Sequence, residues 1–482
     1  MTVTRNAPDT SGEGFQTSEG PARSQRSALK ALVLRLHFYA GILVAPFLLV
    51  AAVSGLLYAS SVQIERVVYG HELRVPVGEE RLPLAEQVEA ARAEHPEGTI
   101  SGVRPGADAD ATTRVLLDVP GLGPSQRLAV FVDPYTAEVR GALEAYGSSG
   151  ALPVRWWIDE LHRNLHLGDF GRHYSELAAS WLAVIALGGV VLWLGRRRTG
   201  KRTRRILVPE RGLRGRRRLL GWHGTTGLWA ALALCFLSVT GLTWSQHAGA
   251  NIAELRQALS WETPGVTTTS AHHAPDGGDH AGDHGEDGAP PGPGVDAVFA
   301  AARDAGLGDQ VEIVYPAEPG GPWTVQETRS QWPTGKDAVA VDGATAQVTD
   351  TVRFDDWPLA AKLAEWGIAA HMGLLFGLVN QLVLIALMIA LITVILLGYR
   401  MWWLRRPTRA GAFTWGRPPR RGAWRRLSPA VLLPLVVATV AVGYYVPLLG
   451  LSLLGFLVAD AALALLRRRR GEAAGSPSPT RR

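Results

Sequence analysis

Long apolar runs alternate along the chain with polar stretches rich in Gly, Pro and Ala. Four runs are long enough to cross a bilayer, roughly 38–58, 177–194, 227–244 and 374–397, since ~30 Å of hydrocarbon needs about 20 helical residues. A fifth apolar region, 427–466, would overshoot as one straight helix and is interrupted by Pro447 and Gly450. It reads as two short spans joined by a tight turn. The first 28 residues are polar and lack the apolar core of a cleavable signal. They predict a disordered tail ahead of a first span that acts as a signal anchor.

The polar stretches between spans carry α+β patterns. A helical pattern covers 84–94, followed by strand-like runs at 113–119 and 127–132 with a turn at 133–136. Further on, 296–305 is helical in pattern and 310–315, 323–327 and 338–341 are strand-like. Basic residues crowd 196–218, 400–426 and 467–470, directly against span ends. Binding to nucleic acid or anionic lipid is the blander account of such runs. Their position favours topology, because basic loops stay cytoplasmic. Six spans follow, with both termini cytoplasmic and about 60–160 and 248–360 outside. Cys235 is the single cysteine, so disulfides and iron–sulfur clusters are excluded.

An internal repeat then singles out particular residues. Aligning LHFYAGILVAPFLLVAAVSGLLY with WHGTTGLWAALALCFLSVTGLTW superposes His37 on His223, Gly41 on Gly227 and Gly55 on Gly241, all 186 positions apart. A second spacing of 209 carries VDPYTAEVRG onto VDGATAQVTD, Trp157 onto Trp366, His162 onto His371, Gly168 onto Gly377 and Trp193 onto Trp402. The difference of 23 matches the Gly/His/Asp-rich stretch 272–294. The chain is therefore two copies of span, external domain, span, followed by a terminal hairpin.

Of thirteen histidines, only His37 with His223 and His162 with His371 recur; His71, His95, His166, His173, His247 and the loop histidines do not. Ionisable residues at membrane depth are costly and mark function. The topology puts His37 and His223 at the inner face and His162 and His371 at the outer face. Trp193 lies 31 residues beyond His162, ~46 Å if helical, which predicts an outer site at or just above the headgroups. Two helices each offering one imidazole at one level can clamp a haem, and six-coordinate ligation favours electron transfer over hydrolysis or oxygen activation. Zinc is the weaker reading, because two histidines per level without repeated Asp, Glu or Cys fall short of its usual ligands. Gly41 and Gly227, four residues after a histidine, would admit a porphyrin edge; small-residue packing between helices explains them equally well. Trp156, Trp157, Trp193, Trp366, Trp402 and Trp403 mark interfaces. Glu176 reads either as orienting a ligand or propionate-binding group, or as a satisfied carboxylate in helix packing. The low-complexity insert carries His272, His273, His280 and His284, read either as a loose metal-binding site or as plain linker.

Four stretches carry a resemblance to a known family: LHFYAGI at 36–42, DELHRNLHLGDFGRHYSELAASWL at 159–182, GWHGTTGLW at 221–229 and AHMGLLFG at 370–377. With them, most of 30–406 resembles the PepSY-associated transmembrane, or iron-regulated membrane, proteins, and the external segments look like PepSY domains. That resemblance implies similarity to ferric-siderophore reductases that carry two b-type haems. It implies ligands at His37, His162, His223 and His371, with His166 able to replace His162 because it lies four residues on.

The expected fold is a mainly α membrane protein with six transmembrane helices and two small extracytoplasmic α+β domains. Its parts are a tail at 1–28, spans at 29–61, 157–196, 219–247, 357–404 and 428–466 (the last a helix pair), and PepSY-like domains at 62–156 and 248–356, with an insert at 264–294. Basic cytoplasmic loops cover 197–218 and 405–427, and a cytoplasmic tail covers 467–482. The expected function is di-haem electron transfer across a bacterial inner membrane, reducing a ferric siderophore as an oxidoreductase. Electrons would come from a cytoplasmic reductase or quinol, because no nicotinamide or flavin fingerprint is visible. The alternative is a membrane-anchored PepSY protein that recognises a partner or inhibits a peptidase, and a third is a metal-uptake accessory. The partner is lipid bilayer rather than nucleic acid.

Overall fold

A computed structural model describes residues 21–195, 204–210, 212–268, 293–405 and 421–474. The first helical segment is α1, Pro21–Leu43, followed at once by α2, Ala45–Val68. Helix thus begins inside the stretch expected to be a disordered tail. The break between α1 and α2 has a local cause. Pro46 has no N–H to give the Ile42 carbonyl one turn back, and the Tyr399 hydroxyl donates to that carbonyl instead, at 3.0 Å. After the short α3, Gly70–Leu73, the chain leaves the helical bundle. It forms α4 (Leu84–Glu94), β1 (Thr99–Arg104), β2 (Thr113–Asp118), β3 (Gln126–Val132) and β4 (Val139–Tyr146). It returns through α5 (Pro153–Asn164) and α6 (Gly168–Gly195).

The second half repeats this order. After α7 (Arg204–Leu207) come α8 (Gly215–Leu242) and α9 (His247–Ala258). Then follow α10 (Val295–Asp304), β5 (Val311–Val314), β6 (Trp323–Glu327), β7 (Ala338–Val341) and β8 (Val348–Val352). Helices α11 (Leu359–His371) and α12 (Gly377–Trp403) lead back into the bundle, and α13 (Pro429–Tyr445) and α14 (Pro447–Ala474) close the chain. Among the described residues five helical segments are long and apolar enough to cross a membrane: α2, α6, α8, α12 and Pro447–Leu466 of α14. Helix α13 is apolar but has 17 residues. The protein is a multi-pass membrane protein. The outward faces of these helices carry exposed Leu187, Val191, Leu232, Val379 and Leu433, as a lipid-facing surface does.

Two separate external domains are not what forms. The eight strands make one sheet in the order β4-β3-β2-β1-β5-β6-β7-β8, antiparallel throughout. The seam is β1 against β5, with Gly102 opposite Val314 and Val103 opposite Ile313. Strands β1, β4 and β8 escape a reading of apolar alternation because Gly102, Gly141 and Thr349 to Thr351 dilute it. A single core serves both halves: Leu84, Val88 and Ala91 of α4 and Val298 and Ala302 of α10 cover Val103, Val115, Ile313 and Val325. Asp296 of the second half accepts the Leu84 and Ala85 amides at 2.6 and 3.0 Å, capping α4 of the first.

An ion pair crosses the same seam. Glu312 of β5 is 4 % exposed and lies 2.8 Å from Arg104 Nε of β1 and 2.8 Å from Arg127 Nη1 of β3. Burial alone raises the Glu312 pKa. The two guanidiniums, by charge and hydrogen bonds, outweigh burial and hold it below the ordinary carboxylate value. A carboxylate with a depressed folded pKa contributes stability that is present above its unfolded pKa and lost as pH falls through the folded one. Replacing Glu312→Ala should cost about 1–3 kcal/mol, because it removes the carboxylate from the half-buried Arg104 and Arg127. In the wild type the joined sheet should loosen below pH ~4.3, and in the variant that acid dependence should shrink. Chemical denaturation followed by limited proteolysis within 84–146 and 295–352 checks both.

Candidate functional site

The four repeated histidines sit on four different helices: His37 on α1, His162 on α5, His223 on α8 and His371 on the last turn of α11. Each uses its ring in the same way. His37 Nδ1 lies 3.0 Å from the Ile185 carbonyl of α6, and His223 Nδ1 lies 2.9 Å from the Val394 carbonyl of α12. A carbonyl only accepts, so both Nδ1 atoms carry the proton. His162 Nδ1 is 2.9 Å from Ser54 Oγ of α2, and His371 Nδ1 is 2.7 Å from Thr240 Oγ1 of α8. Those hydroxyls already donate to carbonyls of their own helices, Val50 and Phe236, so here too the imidazole is the donor. In all four rings Nε2 is left with its lone pair, the tautomer in which histidine ligates a metal while its other nitrogen is held.

A glycine faces every one of these rings. A Cβ added at Gly189 of α6 would lie 3.2 Å from His37 Cε1, and one at Gly398 of α12 would lie 3.6 Å from His223 Cε1. The same construction places Gly55 of α2 3.1 Å from His162 Cε1 and Gly241 of α8 3.5 Å from His371 Cε1. These partners obey the repeat: Ile185, Val394, Gly189 and Gly398 pair at spacing 209, and Ser54, Thr240, Gly55 and Gly241 at 186. Gly189 and Gly398 stand four residues after the accepting carbonyls, and Gly55 and Gly241 one residue after the accepting hydroxyls.

The rings fall into two groups. The His37 and His223 centroids are 6.3 Å apart with planes at 76°, which leaves room for one metal ion bonded at about 2 Å to each ring nitrogen. The other two rings are those of His162 and His371. They are flanked by Tyr58, whose centroid is 6.1 Å from His162, and by Trp244, 5.5 Å from His371. This second group is at the end of the bundle near the sheet. Helix α8 gauges the separation, since it bears His223 and, 17 positions on, Thr240, ~26 Å of helical rise. That is close to the thickness of the hydrocarbon.

Several expectations need correcting. His166 does not share a helical face with His162. Leu165 and His166 both adopt left-handed backbone, ending α5 at Asn164, and the exposed His166 ring packs on Trp157 at 4.9 Å. The same reversal invalidates the straight-helix height of the sheet-end site: α5 folds back so that His162 meets Ser54 and Gly55 within the body of α2. Glu176 is fully buried and caps α9, accepting the His247 and Ala248 amides at 2.9 and 3.0 Å. It is the satisfied carboxylate. Trp193 packs over Gly224, beside His223, and its Nε1 donates to the Ile206 carbonyl. Gly41 and Gly227 meet nothing within 4 Å of an added Cβ. The loop residues His272, His273, His280 and His284 lie outside the described residues. Among the described residues no three His, Cys, Asp or Glu side chains gather as a metal site. Unrecognised in the sequence were the acceptors Ser54, Thr240, Ile185 and Val394; applying the two repeat spacings to every small and polar position would have found the first two.

The family model described as PepSY-associated TM region matches residues 34–405. No curated protein matches the chain.

The close glycine contacts are open to test. Gly55→Val should destabilise the solubilised protein by about 1–3 kcal/mol, because the added methyls meet His162 and the Met388 sulfur. Gly221→Ala, with nothing within 4 Å, should be neutral or gain up to ~1 kcal/mol from helix propensity. Thermal unfolding in detergent compares them, and equal effects would contradict a glycine requirement at the ring.

Proposed function

This chain belongs to the PepSY-associated TM family, and we propose that within it the protein is a di-haem conduit carrying electrons across the membrane to a ferric complex. The observation that carries this reading is the fourfold repetition of one imidazole arrangement: Nδ1–H anchored on a neighbouring helix, Nε2 free, glycine against the ring. In this reading His37 and His223 hold one haem and His162 and His371 the other. Haem supplies one-electron iron chemistry, and two imidazoles per iron leave no position for oxygen or hydrolytic water. The acceptors Ile185, Val394, Ser54 and Thr240 fix each ring's tautomer and orientation and raise its basicity. Open space at Gly41 and Gly227, one turn from His37 and His223, supports room for a bulky planar group there.

Topology completes the proposal. Basic residues follow α6, α12 and the Pro447–Leu466 span of α14 directly in the sequence, which favours six spans in a bacterial inner membrane with both termini cytoplasmic and the sheet outside. Electrons enter at His37 and His223 from a cytoplasmic reductase or membrane quinol and leave at His162 and His371. A ferric siderophore is the acceptor that the family resemblance suggests, and one-electron reduction would release iron as the more weakly chelated ferrous ion.

Purified protein from haem-replete cells should be red, with about two b-type haems per chain by haemochrome assay. His371→Ala should lose one haem and His37→Ala the other. A colourless preparation would sink this reading and leave the membrane-anchored PepSY binding or regulatory protein in its place. Ser54→Ala removes the acceptor for His162 Nδ1–H, so the ligand becomes less basic and ferric iron less stabilised. The potential of the sheet-end haem should rise while the other is unchanged, as redox titration with resolved spectra would read.

A further inference from the structure

We infer that His173 and His247 form a second, open site at the sheet end of the bundle that takes a divalent first-row transition-metal ion. Their Nε2 atoms are 3.1 Å apart, with ring centroids at 5.0 Å and planes at 53°. Two imidazole nitrogens occupying neighbouring positions on one ion, with bonds of about 2.0–2.1 Å, stand roughly 2.9–3.4 Å apart. His173 Nδ1 lies 2.6 Å from the Asp169 carbonyl one turn back on α6. That nitrogen is therefore the donor, and Nε2 of His173 presents a lone pair toward His247.

The pair is held by the fold rather than left to chance. His247 is the first residue of α9, and its amide is gripped by Glu176, which stands three residues after His173 on the same α6. One helix thus supplies one imidazole and fixes the backbone of the other. The buried Glu176 carboxylate also offsets the positive end of α9, which would otherwise repel a cation. Both rings are half-buried and reachable from outside the bundle.

The repeat argues that this pair is a device of its own. The positions corresponding to His173 and His247 are Leu382 and Ser61, so duplication of the bundle does not require it. Its place is beside the outgoing electron site: Arg172 donates to the Trp244 carbonyl at 3.3 Å, and the Trp244 ring lies against His371. Neutral imidazole suits iron, zinc, copper and nickel. Two protein donors leave the remaining positions to water or to a chelator's oxygens, so the ion is exchangeable cargo rather than a structural metal. This assignment rests on the proposed ferric reduction, whose product, ferrous iron, is the ion delivered at this point.

The test uses the full solubilised chain with His272, His273, His280 and His284 changed to Ala, so that the loop contributes no binding. Zn2+ titrated by calorimetry should bind with one equivalent, and Co2+ should give the absorption of a nitrogen-bound ion. Both signals should vanish in His173→Gln and in His247→Gln, whose amides keep a hydrogen-bonding group, while the unfolding midpoint stays near that of the parent. Absence of binding in the parent, or unchanged stoichiometry in both variants, would overturn the site and leave a plain imidazole–imidazole hydrogen bond. Haem content of the same samples is read separately: haem without the Zn2+ site defeats only this inference, and the Zn2+ site without haem defeats only the conduit.

Discussion

A histidine buried at membrane depth has to place its N–H, and the bundle is arranged around that need. Unpaired, such a group would cost as much as a lost hydrogen bond in a medium without water. Here each Nδ1–H crosses to another helix: α1 to α6, α8 to α12, α5 to α2 and α11 to α8. The acceptor helix then has to come close, and the approach is tightest at Gly55 and Gly189, where an added Cβ would crowd the ring at 3.1 and 3.2 Å, while Gly241 and Gly398 sit at ordinary contact distance. Helix order, small-residue placement and ring tautomer are thus consequences of one requirement. What remains after it is met is a lone pair on each Nε2.

Duplication sets the frame, and the departures from it carry the individuality of the chain. Four ring environments are copies, as are the two sets of four strands. The seam between β1 and β5 turns two copies into one sheet with a shared core, tied by Glu312 to Arg104 and Arg127. The terminal hairpin lies beyond the matched residues 34–405. It docks through Ser452, which accepts from the Trp181 indole at 2.9 Å, and through Asp460, which pairs with Arg35 and Arg421. Arg35 is two residues before His37, so the hairpin steadies the helix that carries one of the four imidazoles. The His173–His247 contact departs from the repeat in another way: it is found in one unit only.

Apolar run length, basic flanks and constant spacings are local or additive properties, and the sequence by itself determined what depends on them. Membrane crossing, duplication and the choice of four histidines from thirteen needed no coordinates. Helices α4 and α10 and strands β2, β3, β5, β6 and β7 were legible as well, because one apolar face or alternation suffices to mark them. Other features depend on groups far apart in the chain, and only the tertiary structure decided those. The left-handed Leu165 and His166 turn α5 back, which separates His166 from the helical face of His162 and brings His162 against Ser54 of α2. The β1–β5 seam joins residues more than 200 positions apart, which no local pattern announces. Carbonyl acceptors such as Ile185 and Val394 are invisible in principle, since every residue has one and only packing shows which is approached. Repetition could name the histidines, but their protonated nitrogens depend on what each ring meets across a helix interface.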